Sequence, residues 1–281
     1  MPELPEVETI ARRLRTVLPG KQISALTVFR EKSFLGDSLS LVGMNIIGVS
    51  RRAKLLSIEL SNGMFVVVHL KMTGQMIYVD GATRLGGGHP TQEFVTELPA
   101  KATRIQMSFT DGSALFFNDQ RVFGWWKLLN AAAREQEIGK YAPDVIDEAV
   151  TLKYLVEKFA KRSAAVKLVI LDQAVVSGVG NIYACDGLFE AGIDPRRSTN
   201  SLTRKEISRL LTALRLVIHQ GIELGGATIQ HYRTADGLSG KYQDVRRVYA
   251  KEGKACPICG KPIVRVKQGG RSTFWCENCQ H

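Results

Sequence analysis

Apolar positions in the amino-terminal segment recur at helical spacing. One face of a helix would collect Val7, Ile10, Leu14 and Val17. Pro5 suits a first helical turn, and the glutamates beside it complement the positive end of the helix dipole. This pattern predicts a helix over residues 5–18.

From residue 22 to about residue 126 the periodicity changes, and apolar and polar side chains alternate. The pairs Asn62-Gly63 and Asp111-Gly112 are hairpin signals between apolar runs. This half predicts a β-sandwich or barrel behind one helix. Residues 80–99 are rich in glycine and polar side chains and predict a long loop.

Helical patterns return in the second half, after a predicted linker that ends near residue 147. Helices are predicted over residues 152–162, 164–175 and 181–191. Thr203 and Glu206 form a capping box ahead of a longer helix, and residues 232–243 predict a loop that contains glycine.

Composition restricts the class of protein. The chain has 281 residues, of which 44% are hydrophobic, and a formal net charge of +11. This hydrophobic content excludes wholesale disorder. The charge favours an acidic polymer as partner, nucleic acid before an anionic membrane, with a basic solvated surface as the open alternative. The sequence contains no run of about 18 apolar residues, so no transmembrane helix is expected. No secretory signal is expected either.

The cysteines predict a metal site. Cys256, Cys259, Cys276 and Cys279 have the spacing C-x2-C-x16-C-x2-C, which is typical of zinc sites. Four thiolates leave no open coordination position, so one structural Zn²⁺ is expected. Such pairs suit a reducing cytoplasm, and Cys185, in an apolar stretch, is expected to be buried.

The amino terminus predicts a nucleophile. Removal of Met1 would expose the secondary amine of Pro2, which can form a Schiff base, with Glu3 placed to shuttle protons. The nearby helix start lowers the pKa of such an amine and the neighbouring glutamates raise it. The sequence leaves the net sign open.

Two segments could hold phosphate groups. Gly178 and Gly180 precede the helix predicted from Asn181, so their N–H groups could bind an anion, with an ordinary tight turn as the alternative. Arg271 follows Gly269-Gly270 near a predicted hairpin tip, where it could reach a phosphate or remain a solvated charge.

The whole chain resembles the bacterial formamidopyrimidine-DNA glycosylases, relatives of endonuclease VIII. Besides the cysteine module, four motifs in order carry the resemblance: Pro2–Thr9, His69–Gly74, Asn118–Gly124 and Gly178–Tyr183. The resemblance implies a bifunctional glycosylase and abasic-site lyase that acts on double-stranded DNA containing oxidised purines. The cytoplasm of a bacterium and a monomeric state are expected with it.

The resemblance also implies an α+β multidomain fold. Its parts would be an N-terminal catalytic β-sandwich domain with a flanking helix, a linker, a helix–two-turns–helix DNA-binding domain, and a zinc finger formed by a four-cysteine hairpin. Their expected limits are residues 1–130, 131–147, 148–245 and 246–281.

Catalytic roles follow from the same resemblance. Pro2 would attack C1′ of the damaged nucleotide, and Glu3 would be the general acid and base. Glu6 would support the catalytic site. Lys54 would contact a phosphate beside the lesion.

Further residues match DNA contacts of that family. Asn181 and Arg271 match phosphate contacts flanking the lesion. Met72, Arg121 and Phe123 match the side chains that fill the space left by a flipped base, although a methionine or phenylalanine at a turn more commonly fills a core. Residues 236–241 match the segment that covers the flipped base.

Three positions depart from the family pattern. Gln120 and Val122 replace a proline and a second arginine around Arg121, which affects the rigidity of that turn and the choice of opposite base. Lys71 replaces a frequent glycine before Met72.

Two alternatives remain open from the sequence. An endonuclease VIII-type enzyme would act on oxidised pyrimidines, but its start is usually Pro-Glu-Gly-Pro, and Leu4 favours the purine branch. A non-catalytic, zinc-containing nucleic-acid-binding protein would have no need of the Pro2 amine.

Overall fold

The computed structural model describes residues 1–89, 97–227 and 240–281. By its internal contacts the chain forms two compact units. The first unit consists of Met1–Lys140 with Leu224–Lys241, and the second consists of Tyr141–Glu223 with Tyr242–His281. None of the helices in the described ranges combines the length and the apolar character needed to cross a membrane.

Helix α1 (Leu4–Val17) opens the first unit and confirms the predicted amino-terminal helix. Glu3 is the N-cap residue in an extended conformation, and its N–H donates to Glu6 Oε2 at 2.8 Å. This is the returning bond of a capping box, in which the residue three positions into the helix satisfies the N-cap amide. The buried face carries Ile10 and Leu14, which are fully buried.

Two sheets form the body of the first unit, one antiparallel and one antiparallel except at its β2 edge. The strands are β1 (Ile23–Val28), β2 (Phe34–Leu35), β3 (Ile46–Arg52), β4 (Leu55–Leu60), β5 (Phe65–His69), β6 (Gly74–Asp80), β7 (Thr83–Gly88), β8 (Thr103–Phe109), β9 (Ala114–Asp119) and β10 (Trp125–Leu129). Their orders are β1-β8-β9-β6-β7 and β2-β10-β5-β4-β3, and β2 pairs with β10 in parallel.

The core of the first unit lies between these sheets. Phe117 of β9 and Trp126 of β10 are fully buried, and their ring centroids are 5.9 Å apart. The same apolar cluster includes Ile10 and Leu14 of α1. Burial of a side chain such as Phe117 contributes roughly 1.5–3 kcal/mol. The predicted β-sandwich with a flanking helix is confirmed.

Strand β7 occupies part of the predicted loop over residues 80–99, so that prediction is wrong for residues 83–88. The glycines there serve close packing. A Cβ on Gly86 would lie 1.9 Å from Met76 O of β6, and one on Gly87 would lie 3.2 Å from Ile10 of α1. Glycine therefore lets both neighbours approach β7. Residues 90–96 of the predicted loop lie outside the described residues.

Helix α2 (Ala131–Ile138) lies in the segment expected to be a linker. The Asn130 side chain caps it by accepting a hydrogen bond from Ala133 N–H at 2.9 Å. By its contacts this helix belongs to the first unit, and the second unit begins after Lys140.

The second unit is mainly helical. Its elements are α3 (Leu152–Ala160), α4 (Val166–Leu171), α5 (Asn181–Glu190), α6 (Arg204–Glu223), α7 (Tyr242–Val245), β11 (Val264–Gln268) and β12 (Arg271–Trp275). The capping box before α6 is confirmed, since Thr203 N–H donates to Glu206 Oε2 at 2.7 Å and Glu206 N–H donates to Thr203 Oγ1 at 3.3 Å.

Two expectations for the second unit need correction. The helix predicted over residues 164–175 ends at Leu171, because Asp172 Oδ1 accepts from Ala174 N–H at 2.9 Å and forms a side-chain turn. Tyr242 begins helix α7 instead of continuing a loop, and residues 232–239 of that predicted loop lie outside the described residues.

Candidate functional site

The amino terminus is anchored by one buried carboxylate. Pro2 is buried, and Glu3 and Glu6 are only 2% and 8% exposed. Glu6 Oε2 accepts from Glu3 N–H at 2.8 Å, and Glu6 Oε1 accepts from Ala227 N–H at 2.7 Å. Glu6 therefore links the residue after Pro2 to a segment more than two hundred positions later in the sequence.

The segment that Glu6 holds is packed closely against it. Gly226 has φ +85°, and a Cβ there would lie 2.9 Å from Glu6 Cγ and Oε1. Leu224 O accepts from Lys241 N–H at 2.8 Å, and a Cβ on Gly240 would lie 2.3 Å from Gly226 O. The two ends of residues 224–241 therefore meet beside Glu6. Residues 236–239, expected to cover a flipped base, lie outside the described residues.

Lys54 lies in the tight turn between β3 and β4 and is 6% exposed. Ala53 adopts φ +53° there. Arg51 links this turn to α1, because its Nε donates to Glu8 Oε2 at 2.7 Å and its guanidinium donates to Ala53 O at 2.9 Å. Burial alone would raise the pKa of Glu8, but Arg51, with smaller contributions from Arg12 and Arg15, outweighs burial and holds that pKa below its ordinary value.

His69, at the end of β5, is a candidate that the sequence reasoning did not single out. It is 8% exposed, and its neighbours in the sheet are Leu55 and Trp125. His69 Nδ1 accepts from Lys71 N–H at 3.0 Å, which leaves the proton of the neutral ring on Nε2. Burial, followed by the charges of Lys71 and Lys54, lowers the pKa of His69 to about 3. His69 is thus a neutral ring that can donate from Nε2. Its place as the first residue of the His69–Gly74 motif was the available signal.

Met72, Arg121 and Phe123 lie on two turns at one end of the sandwich. Met72 and Phe123 are 39% and 53% exposed, and Arg121 is also exposed. The Arg121 guanidinium lies over the Phe123 ring, 5.0 Å from its centroid. Met72 and Phe123 therefore do not fill the core, which was the alternative interpretation of these two side chains. Val122 between them adopts φ +56°, an uncommon conformation for a β-branched residue.

The second unit brings Asn181 and Arg271 together. Asn181 Nδ2 donates to Ser272 O at 2.9 Å, and Lys167 Nζ donates to the same oxygen at 3.0 Å. Lys167 is fully buried. These two bonds hold the strand that carries Arg271, whose own side chain is exposed. Gly269-Gly270 forms the hairpin turn before it, with φ +51° and +77°.

The anion site expected from the N–H groups of Gly178 and Gly180 is only partly available. Gly178 N–H donates to Gln173 Oε1 at 3.0 Å, so that amide is already used. Gln173 Nε2 also donates to Val179 O at 2.9 Å and ties the turn down. The expectation is therefore wrong for Gly178, because the side chain of Gln173, five positions earlier, accepts its N–H.

The four cysteines form a single cluster suited to zinc. Their sulfur atoms all lie within 4.8 Å of one another. Cys256 and Cys279 sulfurs are 3.9 Å apart, and Cys259 and Cys276 sulfurs are 3.5 Å apart. A tetrahedron with Zn–S bonds of about 2.3 Å separates its sulfurs by roughly 3.8 Å. The four cysteines are therefore positioned to bind one zinc ion.

Cys185 is separate from that site. It is 1% exposed, as expected, and burial raises the pKa of its thiol to about 11.

Comparison with known proteins agrees with this arrangement. Residues 1–126 match the formamidopyrimidine-DNA glycosylase N-terminal domain, residues 141–233 match the H2TH domain of the same enzymes, and residues 253–281 match the zinc finger found in FPG and IleRS. A formamidopyrimidine-DNA glycosylase of Pelotomaculum thermopropionicum is 37% identical, over 100% of this chain and 99% of the relative. The chain belongs to the formamidopyrimidine-DNA glycosylase family.

Solved structures of the family support the same fold. A Lactococcus lactis FPG mutant in complex with Fapy-dG-containing DNA is 30% identical, with a TM-score of 0.88 over 99% of each chain. MutM in complex with DNA containing carbocyclic 8-oxo-G is 29% identical, with a TM-score of 0.87 over 100% of each chain. The fold class implied by the family resemblance and the zinc site predicted from the cysteine spacing are confirmed.

Proposed function

We propose that the protein is a bifunctional DNA glycosylase and abasic-site lyase that removes oxidised purines, 8-oxoguanine and formamidopyrimidines, from double-stranded DNA. The anchored amino terminus carries this proposal: Glu3 caps α1 directly after Pro2, and Glu6 fixes the Glu3 backbone at 2.8 Å. Relatives crystallised with 8-oxo-G and Fapy-dG DNA support the substrate class.

The reaction would begin at the Pro2 nitrogen, once Met1 has been removed, because an acylated nitrogen has no lone pair for attack. The amine bonds to C1′, the glycosidic bond breaks, and Glu3 supplies the proton needed to open the sugar ring. The resulting Schiff base acidifies the C2′ hydrogen. Loss of that proton expels the 3′ phosphate, a second elimination expels the 5′ phosphate, and water releases Pro2.

Three residues would bind the phosphate backbone of the DNA. Lys54 would contact a phosphate beside the lesion, and Asn181 and Arg271 would contact phosphates flanking it. The net charge of +11 supports this electrostatic contribution. With about five or six phosphates held, log affinity should fall against log salt concentration with a slope of roughly −5.

Three other residues would stabilise the flipped state. Extrusion of the damaged base costs a few kcal/mol and leaves a space in the duplex. Met72 and Phe123 would fill that space, and Arg121 would face the orphaned base. Their exposure supports this role.

The remaining expectations stand as part of the proposal. The catalytic domain would span residues 1–130 and a linker residues 131–147. The DNA-binding helical domain would span residues 148–245, and the zinc finger residues 246–281. We expect a monomer in the cytoplasm of a bacterium, as its bacterial relatives suggest, with no membrane partner.

Borohydride trapping tests the proposal. Protein shown by mass to lack Met1 is incubated with a duplex that holds 8-oxoguanine opposite cytosine, and borohydride is added. We expect a covalent adduct that is absent from protein with a blocked amino terminus, because a blocked nitrogen cannot form a Schiff base. Trapping only on an oxidised-pyrimidine duplex would assign the protein to the endonuclease VIII type. No trapping on either would leave a DNA-binding protein without this chemistry.

A matched pair of variants tests the phosphate contact. Arg271→Ala should weaken DNA binding similarly for all sequences and reduce the salt slope by about 1. Arg265→Ala is the control, because Arg265 lies on the same hairpin but pairs with Glu252 at 3.3 Å. Equal effects of both variants would contradict a specific role for Arg271.

A further inference from the structure

The two turns that carry Met72, Arg121 and Phe123 leave the same end of one strand pair. Strands β6 and β9 are antiparallel, and Gly74 pairs with Asp119 at the end of their ladder. Met72 and Thr73 immediately precede β6, and Gln120–Phe123 immediately follow β9. Asp119 is therefore the last strand residue between the two turns.

The carboxylate of Asp119 bonds to both turns. Asp119 is fully buried. Its Oδ1 accepts from the Thr73 hydroxyl, which belongs to the first turn, and from Arg121 N–H at 3.2 Å, which belongs to the second. Its Oδ2 accepts from Gly124 N–H at 2.6 Å. One buried charge is thus satisfied by three uncharged donors drawn from two separate turns.

Thr73 adds a direct bond between the turns. Its hydroxyl oxygen accepts from Arg121 N–H at 3.0 Å while its hydrogen is donated to Asp119. The Arg121 amide is therefore shared between Thr73 and Asp119. A displacement of either turn would break bonds at the other.

The packing around this carboxylate leaves little space for adjustment. A Cβ on Gly124 would lie 2.6 Å from Phe117 Cζ and 3.1 Å from both Asp119 Oδ2 and His69 O. Val122 and Lys71 both hold positive φ in these turns, at +56° and +50°. Non-glycine residues keep such a conformation only where the surrounding bonds determine it.

We propose that Asp119 is a positioning residue that couples the two turns, so that Met72, Arg121 and Phe123 enter the duplex as one preformed unit. This inference rests on the proposed function and deepens it. Asp119 would not touch DNA. It would act through the Thr73 hydroxyl and the amides of Arg121 and Gly124, and it would contribute only where a space in a duplex must be filled.

A comparison of two substrates tests this role in Asp119→Asn. On a duplex with 8-oxoguanine opposite cytosine, single-turnover excision should slow by roughly 10- to 100-fold, the effect of one or two lost charge-assisted bonds. On a single-stranded oligonucleotide with a preformed abasic site no space is filled. Borohydride trapping there should stay within about twofold of wild type, because the Pro2 chemistry is unchanged.

Two other variants keep the test decisive. Asp111→Asn is the matched control, because Asp111 accepts from the Ser113 N–H and hydroxyl at 3.0 and 2.6 Å at the opposite end of β9. Asp111→Asn should lower the free energy of unfolding without changing the ratio between the rate of excision on the duplex and the rate of trapping on the single strand. Thr73→Val removes both bonds of the Thr73 hydroxyl, to Asp119 and from Arg121 N–H, with little change of shape. It decides the question if Asp119→Asn does not fold.

The outcomes separate the two proposals. Slowing on the duplex alone, in Asp119→Asn or Thr73→Val but not in Asp111→Asn, supports coupling. Equal slowing on both substrates, or no slowing, overturns it. If wild-type protein traps neither substrate, the proposed function fails, and the inference fails with it.

Discussion

Replacement of Glu6 by glutamine changes one buried contact at the amino terminus. Each Glu6 oxygen accepts one amide hydrogen, from Glu3 at 2.8 Å and from Ala227 at 2.7 Å. Glutamine has a single acceptor oxygen, so one amide would face an NH₂ group instead. A lost bond to a charged group, with a buried donor left unpaired, costs about 2–3 kcal/mol.

That loss of free energy should slow the proposed reaction, because Glu3 directly follows Pro2, the proposed nucleophile. If the lost bond loosens Glu3 rather than the fold, Schiff-base formation should slow by roughly 10- to 100-fold. The assay is single-turnover borohydride trapping on a single-stranded abasic oligonucleotide, which needs no base flipping. Urea unfolding of the same preparations measures the free energy of unfolding.

Glu206→Gln is the matched control for this experiment. Glu206 is also the capping-box glutamate of its helix, and it accepts from Thr203 N–H at 2.7 Å in the second unit. We expect Glu206→Gln to lower stability and leave trapping unchanged. Wild-type trapping by Glu6→Gln would refute the reasoning. So would a trapping loss in Glu206→Gln as large as that in Glu6→Gln.

Four other predictions concern separate parts of the molecule. Zinc removal by a chelator, or Cys279→Ser, should unfold the cysteine hairpin and weaken DNA binding, and metal analysis should find one zinc per wild-type chain. Val122→Asn should lower the strain of the positive φ at this position, because asparagine tolerates that conformation better than valine. It should stabilise the protein by about 1 kcal/mol and raise Tm by about 2–4 °C in calorimetry. The hydrogen bond and charge of Arg197 lower the pKa of Glu206 to about 2, from its ordinary 4.5. The contribution of Glu206 to the free energy of unfolding is therefore complete above pH 4.5 and is lost as the pH falls towards 2. In urea unfolding measured against pH, Glu206→Gln should remove this loss of stability between pH 4.5 and 2. Because burial lowers the pKa of His69 to about 3, its ring should show no NMR titration between about pH 5 and 8.

Local signals in the sequence were sufficient for much of the fold. The capping box at Thr203 and the cysteine spacing each specify their own geometry within a few residues, and both were confirmed. The loop prediction was wrong for residues 83–88, because the glycines of β7 pack closely against Ile10 and Met76, and Ile10 is distant in sequence. The hydrophobic periodicity and the turn residues of a sequence do not indicate where segments that are distant in the chain pack closely together.

The candidate site shows the same limit. Pro2 and Glu3 could be selected from the sequence, but the bond between Glu6 and Ala227 joins residues far apart in the chain. His69 was missed because a histidine at the end of an apolar strand usually reads as part of the core. Its interest comes from the Lys71 amide that fixes its tautomer, which only the folded turn reveals.

Backbone strain in the described residues concentrates at the turns of the candidate site. Among the described residues, four that are not glycine have positive φ. Three of them, Ala53, Lys71 and Val122, lie beside Lys54, Met72 and Phe123. A buried or half-buried side chain secures each turn: Arg51 bonds Ala53 O, His69 bonds Lys71 N–H, and Asp119 bonds the amides on both sides of Val122. Each strained residue costs of order 1–3 kcal/mol and persists only because its neighbours determine it. The bonds that secure these turns are therefore as much a part of the site as the side chains that would touch DNA, and substitutions at Arg51, His69 or Asp119 should impair function before they unfold the protein.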